Sequence, residues 1–444
     1  MHNHRCHLED AESPQKDRVG SICSVKQLYH GGRSEQGYII WLDAPQRDNK
    51  DLNTCDETLQ HAITLRYIKT KVPNRQQLQE IIVRNKTMQN LLKPHIAAFS
   101  SYYDEAEKGV CFTHPFASLF FSWDSIEAAL RQEEEGTHLN CLLHSSLLKR
   151  TLVETFDSAF YKYKLLIAAG EITFDLLWTL FKPGCDLLTT FSSNTIVAKC
   201  DHSNTTKLSD DSEIHTVTWR YLSWDGKDYC WTTSSTAINA FSHRMKISEL
   251  PVYPLTHCES KDRTLGDLAR RGRVFARLTS QEPHMMMYSG SYDTQNDDGQ
   301  CWWQPRRSIK MTERLMLDTA AYNRYSAWSV TTGNDSIMDA KEMILALDSP
   351  DQQAKNSEIF IYCTPYVYAF GLKSKLWLKV HVLNISDVVW STQAWPSLVL
   401  ASDYKSLTHA FAKAQLEGNQ EFDDFIKGKC QGMIMLLSGP PGRH

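Results

Sequence analysis

The spacing of apolar residues predicts helices in the first third of the chain. After Pro73, apolar residues recur at near-helical spacing from Asn74 to Lys93, which predicts a helix. A second helix is predicted near Asp124–Glu135. A longer one is predicted over His138–Ala169, where leucines and phenylalanines share one stripe that stops at Gly170. This pattern predicts a helical N-terminal part.

Residues 1–60 are polar and contain one apolar island, Tyr38–Leu42, so we expect a disordered or weakly ordered lead-in with at most one added strand. Near its start, His2, His4, Cys6 and His7 suggest a metal site. A solvated tail is the better interpretation, because no second ligand cluster closes such a site.

The middle of the chain changes from helical to strand-like patterns. Ile172–Gly184 predicts a short helix that Thr173 caps and that Pro183-Gly184 ends. Short runs of β-branched or aromatic residues follow, separated by turns such as Asp225-Gly226. The predicted strands are Leu187–Lys199, Val217–Ser223, Tyr229–Thr233 and Phe241–Leu250.

The last third mixes strands, polar loops and short helices. Loops are predicted at Ser289–Gln304 and at Thr332–Asn356, the second with a short helix near Ala340–Leu347. The predicted strands are Arg314–Asp318, Glu358–Phe370, Lys375–Leu383 and Met433–Leu437, and the predicted helices are Asp403–Leu416 and Glu421–Lys427. The whole pattern predicts an α+β fold in which a helical N-terminal part packs on a β-rich body.

Composition narrows the class of protein. The chain has 444 residues, 42% of them hydrophobic and 23% charged, as in an ordinary globular protein, and its net charge of −4 argues against a nucleic-acid partner. Its 12 cysteines include no C-x-x-C pair, so a zinc module is not indicated. Met1–Val25 lacks the apolar core of a signal peptide, and no apolar run is long enough to span a bilayer. We therefore expect an intracellular protein with reduced cysteines and no membrane association.

The stretch from Gly432 to His444 carries the clearest candidate chemistry. An apolar run breaks there into Gly439-Pro-Pro-Gly442, which is how a phosphate-binding loop begins. In the motif G-x-x-x-x-G-K-[ST], Gly439 would be the first glycine and position 444 the second. That position is a histidine, and the lysine and the Ser/Thr of the motif have no counterpart in the sequence.

Several separated segments resemble a family of fungal AAA ATPases in the order in which that family has them. The segments that resemble the start of the ATPase module are 384–390, 398–404, 422–429 and 432–442. Those that resemble the large N-terminal domain of unknown function are Ile172–Gly184, Leu250–Leu255, Arg270–Arg273 and Leu317–Tyr322. The likeness covers most of residues 75–442. It implies ATP and Mg²⁺ as cofactors of the full-length relatives.

The resemblance carries nucleotide-binding residues over only to Gly439, Pro440, Pro441 and Gly442, and it assigns no catalytic or metal-binding residue. After the polar lead-in at 1–60, it implies an accessory domain at 61–383 and the start of an AAA module at 384–444, of whose core only the first strand is present. We expect an accessory or regulatory region that hydrolyses no ATP, holds no cofactor of its own, and binds protein partners or AAA subunits. The alternative is a fragment of an active ATPase whose catalytic part is missing from this sequence.

Other sites are not indicated by the sequence. It contains neither a G-x-S-x-G nucleophile elbow nor an H-E-x-x-H zinc helix. Trp219 and Tyr221 alternate as in a strand, and with Trp224 they are better interpreted as core than as a platform for stacking bases. The run Met285–Met287 likewise indicates packing.

Overall fold

The computed structural model describes residues 19–33, 36, 39–44, 59–69, 76–97, 99, 102–105, 109–134, 139–209, 211–280, 283–293, 308–326, 336–339, 358–400 and 402–417. The chain divides into two compact units, Met1–Ser386 and Asp387–His444. Within the described ranges, no helix is both long enough and apolar enough to cross a bilayer.

A six-stranded sheet forms the first part of the larger unit. Its strands are β1 (Ile22–Arg33), β2 (Ile39–Leu42), β3 (His61–Lys69), β4 (Gln76–Val83), β5 (Tyr102–Glu105) and β6 (Gly109–Thr113). The order is β2-β1-β3-β4-β6-β5, with β1 and β3 parallel and the other neighbours antiparallel. The prediction of a weakly ordered lead-in is therefore wrong for its described residues. The apolar island contributes β2, and β1, which the sequence analysis missed, lies between β2 and β3.

The helix predicted from Asn74 to Lys93 is wrong over its first half. Strand β4 pairs there with β3 on one side and with β6 on the other, and helix α1 occupies Lys86–Ile96. Asn85 separates the two elements, because its side-chain oxygen accepts a hydrogen bond from the Met88 N–H at 3.2 Å and caps the helix. The apolar spacing fits either element, and pairing with two neighbouring strands decides in favour of the strand.

Three more helices follow the sheet: α2 (Ala117–Phe121), α3 (Trp123–Glu134) and α4 (Leu139–Ala168). The helices predicted near Asp124–Glu135 and over His138–Ala169 are thus confirmed. Buried side chains from the sheet and from these helices form one apolar core. Its members include Ile63, Ile81, Leu92, Phe112, Leu119, Leu130, Leu148 and Phe156. The predicted helical N-terminal part is corrected to a sheet packed with helices.

A second sheet begins the β-rich body. Its strands are β8 (Asp186–Phe191), β9 (Asn194–Lys207), β10 (Glu213–Trp224), β11 (Asp228–Asn239), β13 (Val252–Pro254) and β16 (Ser336–Asp339). They lie in the order β13-β8-β9-β10-β11-β16, with antiparallel neighbours. The predicted strands around Trp219 and Tyr229 and the turn at Asp225-Gly226 are confirmed. Trp219 and Tyr221 are buried, as predicted.

The single strand predicted over Leu187–Lys199 is in fact the hairpin of β8 and β9. Phe191 pairs with Asn194, so Ser192 and Ser193 form a two-residue turn, and both have positive φ angles of 46° and 66°. Such turns usually contain glycine or asparagine in these positions. The Tyr366 hydroxyl donates a hydrogen bond to the Ser192 carbonyl at 2.8 Å, so a distant strand helps to hold this turn.

The structure corrects two predicted elements, one before and one after that hairpin. The helix expected within Ile172–Gly184 is a 3-10 helix, Phe174–Leu180, and Thr173 makes no side-chain cap. Most of Phe241–Leu250 is not a strand. It contains the short β12 (Met245–Lys246), which pairs with β7 (Glu171–Ile172), and then a 3-10 turn at Ile247–Glu249.

The third sheet completes the body, together with helices α5 (Lys261–Thr279) and α6 (Thr319–Tyr325). Its strands are β14 (His284–Asp293), β15 (Ser308–Leu317), β17 (Tyr366–Gly371), β18 (Trp377–His381) and β19 (Ile385–Ser386). They lie in the order β18-β17-β15-β14-β19. A second apolar core joins α5 to both sheets of the body. Its members include Leu222, Tyr229, Phe275, Tyr288, Leu315, Phe360 and Val380.

Most strand predictions for this sheet hold, with shifted boundaries. The strand at Arg314–Asp318 and the hairpin across Gly371–Ser374 are confirmed, but the strand predicted from Glu358 begins only at Tyr366. The predicted loop Ser289–Gln304 starts as part of β14, and its remainder lies outside the described residues. Most of the predicted loop Thr332–Asn356 also lies outside the described residues, and within it Ser336–Asp339 forms β16. Helix α5 was not predicted.

In the second unit, helix α7 (Ser402–Glu417) confirms the helix predicted over Asp403–Leu416. The predicted helix at Glu421–Lys427 and the terminal strand at Met433–Leu437 lie outside the described residues. Over the described ranges, the architecture is a mixed α+β fold with a largely β-structured body.

Candidate functional site

The four residues that the sequence assigns to a nucleotide site, Gly439, Pro440, Pro441 and Gly442, lie outside the described residues. The same holds for His2, His4, Cys6 and His7. Across the described part of the chain, no group of three or more His, Cys, Asp or Glu side chains is arranged to hold a metal ion.

A cleft of about 290 Å³ in the larger unit brings apolar and ionisable side chains together. It lies where α2, α4 and the 3-10 helix at 174–180 approach the start of β8 and the start of α5. The lining residues are Phe120, Phe121, Tyr163, Thr179, Leu180, Lys182, Cys185, Asp186, Pro254, Leu255, Thr256, His257 and Lys261.

One wall of the cleft is aromatic. The ring of Phe120 lies edge-on to Tyr163 with 5.4 Å between centroids, and edge-on to Trp178 with 4.9 Å between centroids. Such contacts add stability beyond the burial of the rings. Burial also raises the pKa of Tyr163, which disfavours the phenolate form even further. This wall offers a rigid apolar surface.

Other lining residues of the cleft are basic or ionisable. Lys182 and Lys261 are exposed at the rim, and burial lowers the pKa of His257, which favours its neutral form. Asp186 is the carboxylate among the lining residues, and it is already engaged by Lys199 and Tyr362. The two ammonium groups therefore bias the rim towards anionic groups.

Asp186 is held by Lys199 and Tyr362. Lys199 Nζ lies 2.7 Å from Asp186 Oδ1, and the Tyr362 hydroxyl donates a hydrogen bond to the same oxygen at 2.7 Å. Lys199 Nζ also lies 5.0 Å from the centroid of the Tyr362 ring. The Asp186 carboxylate thus accepts one charge-assisted hydrogen bond from Lys199 and a second hydrogen bond from Tyr362. Together the two bonds fix its orientation.

The raised pKa values of Tyr362 and Lys199 keep both side chains protonated, so they act as hydrogen-bond donors and not as bases. Burial raises the pKa of Tyr362 to about 12. For Lys199, burial lowers the pKa, but the hydrogen bonds with Asp186 and Tyr362 outweigh it and the pKa is raised. Cys185 is different, because its hydrogen bond with Cys200 lowers its pKa in spite of burial. The cleft is thus suited to binding, and its one activated group is a thiol.

Strand pairing explains how these residues meet. Asp186 and Lys199 are direct partners in the β8–β9 ladder, so their side chains lie on the same face. Tyr362 is brought in by a short parallel contact with β10: the Leu222 N–H donates to the Tyr362 carbonyl at 2.9 Å, and the Thr364 N–H donates to the Leu222 carbonyl at 2.9 Å.

Sequence reasoning missed this group. The predicted strand Leu187–Lys199 contains no turn at Ser192-Ser193, so it puts Lys199 at the far end of a strand that begins directly after Asp186 and does not bring the two residues together. No local signal connects Tyr362 with them. Cys185 and Cys200 stand 15 residues apart in the sequence, and no motif there links them.

Residues 162–259 match the model of a family described as a domain of unknown function (DUF7025). No curated protein and no solved structure matches the chain. The family match runs from the end of α4 to the turn before α5, and it includes β8 to β11. It contains Asp186, Lys199 and every lining residue of the cleft except Phe120, Phe121 and Lys261.

Proposed function

We propose that this chain is a non-catalytic accessory region of an AAA ATPase-like protein, and that its second unit binds the ATPase module of that protein or of a neighbouring AAA subunit. The observation that carries the proposal is the exposure of large apolar side chains in Asp387–Glu417. This stretch overlaps two of the segments that resemble the start of a fungal AAA ATPase module, 384–390 and 398–404.

Helix α7 exposes one apolar face. Tyr404, Leu407 and Phe411 are spaced i, i+3 and i+7, which places them on the same side of the helix, and they are 67%, 53% and 51% exposed. Before the helix, Val389 and Val399 are 88% and 96% exposed. An amphipathic helix with an exposed apolar face is a recurring way for a segment to bind a groove on a partner protein.

A different face of α7 is engaged within the unit. Lys405 Nζ donates hydrogen bonds to the carbonyls of Pro396 and Leu398, each at 3.1 Å. The ring centroids of Trp395 and His409 are 5.8 Å apart. Lys405 and His409 are four residues apart and therefore lie on one side of the helix, away from the apolar face. These contacts fix the preceding segment against α7 and leave the apolar face exposed.

Burial of this face would contribute substantially to binding. A large apolar side chain contributes roughly 1.5–3 kcal/mol when it is fully removed from water. Several such side chains are needed, because association also costs translational and side-chain freedom. The large apolar side chains exposed in the described part of this unit are Val389, Trp390, Trp395, Leu398, Val399, Leu400, Tyr404, Leu407 and Phe411.

The alternative function is that of a fragment of an active AAA ATPase. The match of Gly439–Gly442 to the first part of a phosphate-binding loop favours it. In a complete loop, backbone N–H groups, a lysine and the start of the next helix bind the phosphates, and a hydroxyl holds Mg²⁺. Under both functions this chain by itself lacks the lysine and the Ser/Thr of the loop, so the two differ in whether an in-frame Gly-Lys-Thr is encoded beyond residue 444.

Thermal unfolding with and without nucleotide tests the proposal. We expect no phosphate release and no rise in melting temperature at millimolar ATP with Mg²⁺, because a ligand stabilises a protein only to the extent that it binds the folded state. ATP with a chelator, and Mg²⁺ alone, are the controls. A rise that requires both ATP and Mg²⁺ would contradict the non-catalytic function. An in-frame Gly-Lys-Thr encoded shortly beyond residue 444 would favour the fragment.

A further inference from the structure

The turn that leads into β8 positions Cys185 in an unusual way. The Cys185 N–H donates a hydrogen bond to the Lys182 carbonyl at 3.0 Å, and Gly184 has a φ of +82°. With Pro183 second and glycine third, Lys182–Cys185 fits a type II turn, which requires a positive φ at its third residue. The turn at Pro183-Gly184 thus determines where β8 begins.

A bulge then places Cys185 opposite Cys200. The Gly184 N–H donates to the Cys200 carbonyl at 2.8 Å, and the Cys200 N–H donates to the Cys185 carbonyl at 2.8 Å. Two residues of one strand therefore face one residue of the other, with glycine first, which is the pattern of a G1 bulge. The next pair along the ladder is Asp186 with Lys199.

This pairing brings the two thiols together. Opposite residues in an antiparallel ladder have Cα atoms roughly 4.5–5.5 Å apart, which lies within the range that a disulfide spans, about 4.4–6.8 Å. Both cysteines are free thiols, and the contact between them is the largest influence on the pKa of each. The same contact lowers the pKa of Cys185 and raises that of Cys200.

The two thiols differ in access. Cys185 is half-buried and lines the 290 Å³ cleft, so a small reagent can reach it. Cys200 is fully buried, and its Sγ lies 3.6 Å from the Phe181 carbonyl oxygen. An accessible thiol with a lowered pKa beside a buried second thiol is the arrangement of an attacking and a resolving cysteine.

We propose that Cys185 and Cys200 form a redox-sensitive modification site, which closes to an intramolecular disulfide by exchange with a low-molecular-weight disulfide such as oxidised glutathione. The Cys185 thiolate attacks one sulfur of the reagent, and the other leaves as a thiolate, so that a mixed disulfide forms. Cys200 loses its proton and attacks the Cys185 sulfur, which releases the second thiolate. Two protein thiols are oxidised, and one disulfide molecule is reduced to two thiols.

Oxidation would link the start of β8 to β9 and would remove the Cys185 thiol from the wall of the cleft. Because the cross-link closes a loop in the unfolded chain, the oxidised form should unfold at a higher temperature, by a few degrees. The site lies next to Asp186, so its redox state should also change the surroundings of the Asp186–Lys199–Tyr362 group. None of this depends on the proposed AAA partnership.

The test uses the full chain, reduced, transferred to native buffers that contain reduced and oxidised glutathione in increasing ratio. Remaining thiols are then alkylated, and the digest is mapped by mass spectrometry. We expect a linked Cys185–Cys200 peptide, lighter by two hydrogen atoms than the two free peptides together. Cys363, which is buried, should still be alkylated after unfolding. Alkylation of both Cys185 and Cys200 under excess oxidised glutathione would contradict the proposal.

Single substitutions distinguish the attacking cysteine, Cys185, from the resolving cysteine, Cys200. Cys200→Ser should stop the reaction at a stable mixed disulfide between Cys185 and glutathione, whereas Cys185→Ser should leave Cys200 unmodified. Cys258→Ser is the matched control, because Cys258 is also half-buried and its thiol lies near the hydroxyls of Ser260 and Thr264. This variant should form the Cys185–Cys200 link as the parent does. Glutathione on Cys258 but not on Cys185 in the Cys200→Ser variant would overturn the assignment.

Discussion

The β-rich body and the second unit place the same residue types in opposite settings. In the body, Trp219 and Phe275 are each 1% exposed, whereas in the second unit Trp390 and Phe411 are 61% and 51% exposed. Strands from two sheets and helix α5 cover the apolar side chains of the body. The described part of the second unit consists of one helix and the segment that precedes it, and these do not cover its apolar face.

Under the proposed function, this difference corresponds to separate roles for the two regions. The body builds its own core, and its cleft and thiol pair are positioned by strand pairing within that core. The second unit carries apolar surface of the kind that partner proteins bind. Substitutions should therefore act on stability in the body, and on association in the second unit.

The largest loss of stability is expected when a buried side chain in the core of the body is replaced by alanine. Phe275→Ala removes a ring that lies edge-on to Tyr229, with centroids 6.2 Å apart, and leaves a cavity in the core. We expect the free energy of unfolding to fall by about 3–5 kcal/mol. Chemical denaturation followed by tryptophan fluorescence measures it. A loss below about 1 kcal/mol would mean that this core is not packed as described.

A buried histidine should make the body sensitive to acid. His215 is fully buried, its Nδ1 lies 2.8 Å from the Thr205 hydroxyl, and burial lowers its pKa to about 4. The unfolded chain, with a histidine pKa near 6.5, binds the proton first as the pH falls. The free energy of unfolding should therefore keep its full value above about pH 6.5. It should fall by about 3 kcal/mol as the pH approaches 4.

Denaturation curves at several pH values between 7.5 and 4 measure this loss. His215→Gln should flatten the pH dependence, whatever it does to stability at pH 7.5. The control, His202→Gln, alters a histidine whose side chain is 55% exposed, and it should keep the parent slope. An unchanged slope in the His215 variant would assign the acid sensitivity to other groups.

Two glycines of α5 give a matched pair of smaller effects. A Cβ at Gly272 would meet the carbonyl oxygen of Phe360, whereas a Cβ at Gly266 would meet nothing within 4 Å. We expect Gly272→Ala to destabilise the body by about 1–3 kcal/mol through overpacking. Gly266→Ala should stabilise it by about 0.5–1 kcal/mol, because alanine favours the helix. Equal effects of the two changes on unfolding would contradict the close packing of α5 on Phe360.

The smallest effect on stability is expected in the second unit. Phe411→Ala deletes the same ring as Phe275→Ala, but from a side chain that is half exposed on α7. The free energy of unfolding should change by less than about 0.5 kcal/mol. Denaturation of the two variants side by side gives the contrast directly. A loss comparable to that of Phe275→Ala would show that Phe411 belongs to a core.

The sequence predicted elements well where one local pattern was decisive. The long stripe that ends at Gly170 correctly indicated α4, and the pattern after Asp403 correctly indicated α7. It failed where pairing between strands decides the outcome. The apolar spacing before Asn85 suits a helix as well as a strand, and only the neighbours β3 and β6 select the strand. Helix α5 was missed because Gly266 and Gly272 lower its helix propensity, and its buried face depends on two sheets.

The candidate site depends even more on tertiary structure. Asp186 and Lys199 meet because Ser192 and Ser193 adopt positive φ angles without a glycine, and Tyr366 supports that turn from another sheet. Tyr362 arrives from a segment far along the chain. The Pro183-Gly184 pair was recognised as a stop signal. Its second role, the bulge that joins Cys185 to Cys200, appears only when β9 is in place.

Hydrogen–deuterium exchange of the Ser402–Glu417 amides reports whether the exposed face of α7 binds an ATPase module. The chain is measured alone and mixed with a full-length AAA ATPase of the resembled family, and the body provides an internal reference. We expect exchange in α7 to slow on mixing, and we expect a Leu407→Ser, Phe411→Ser double variant to abolish the change while the body exchanges as before. Equal exchange of α7 with and without the ATPase would contradict the proposed binding.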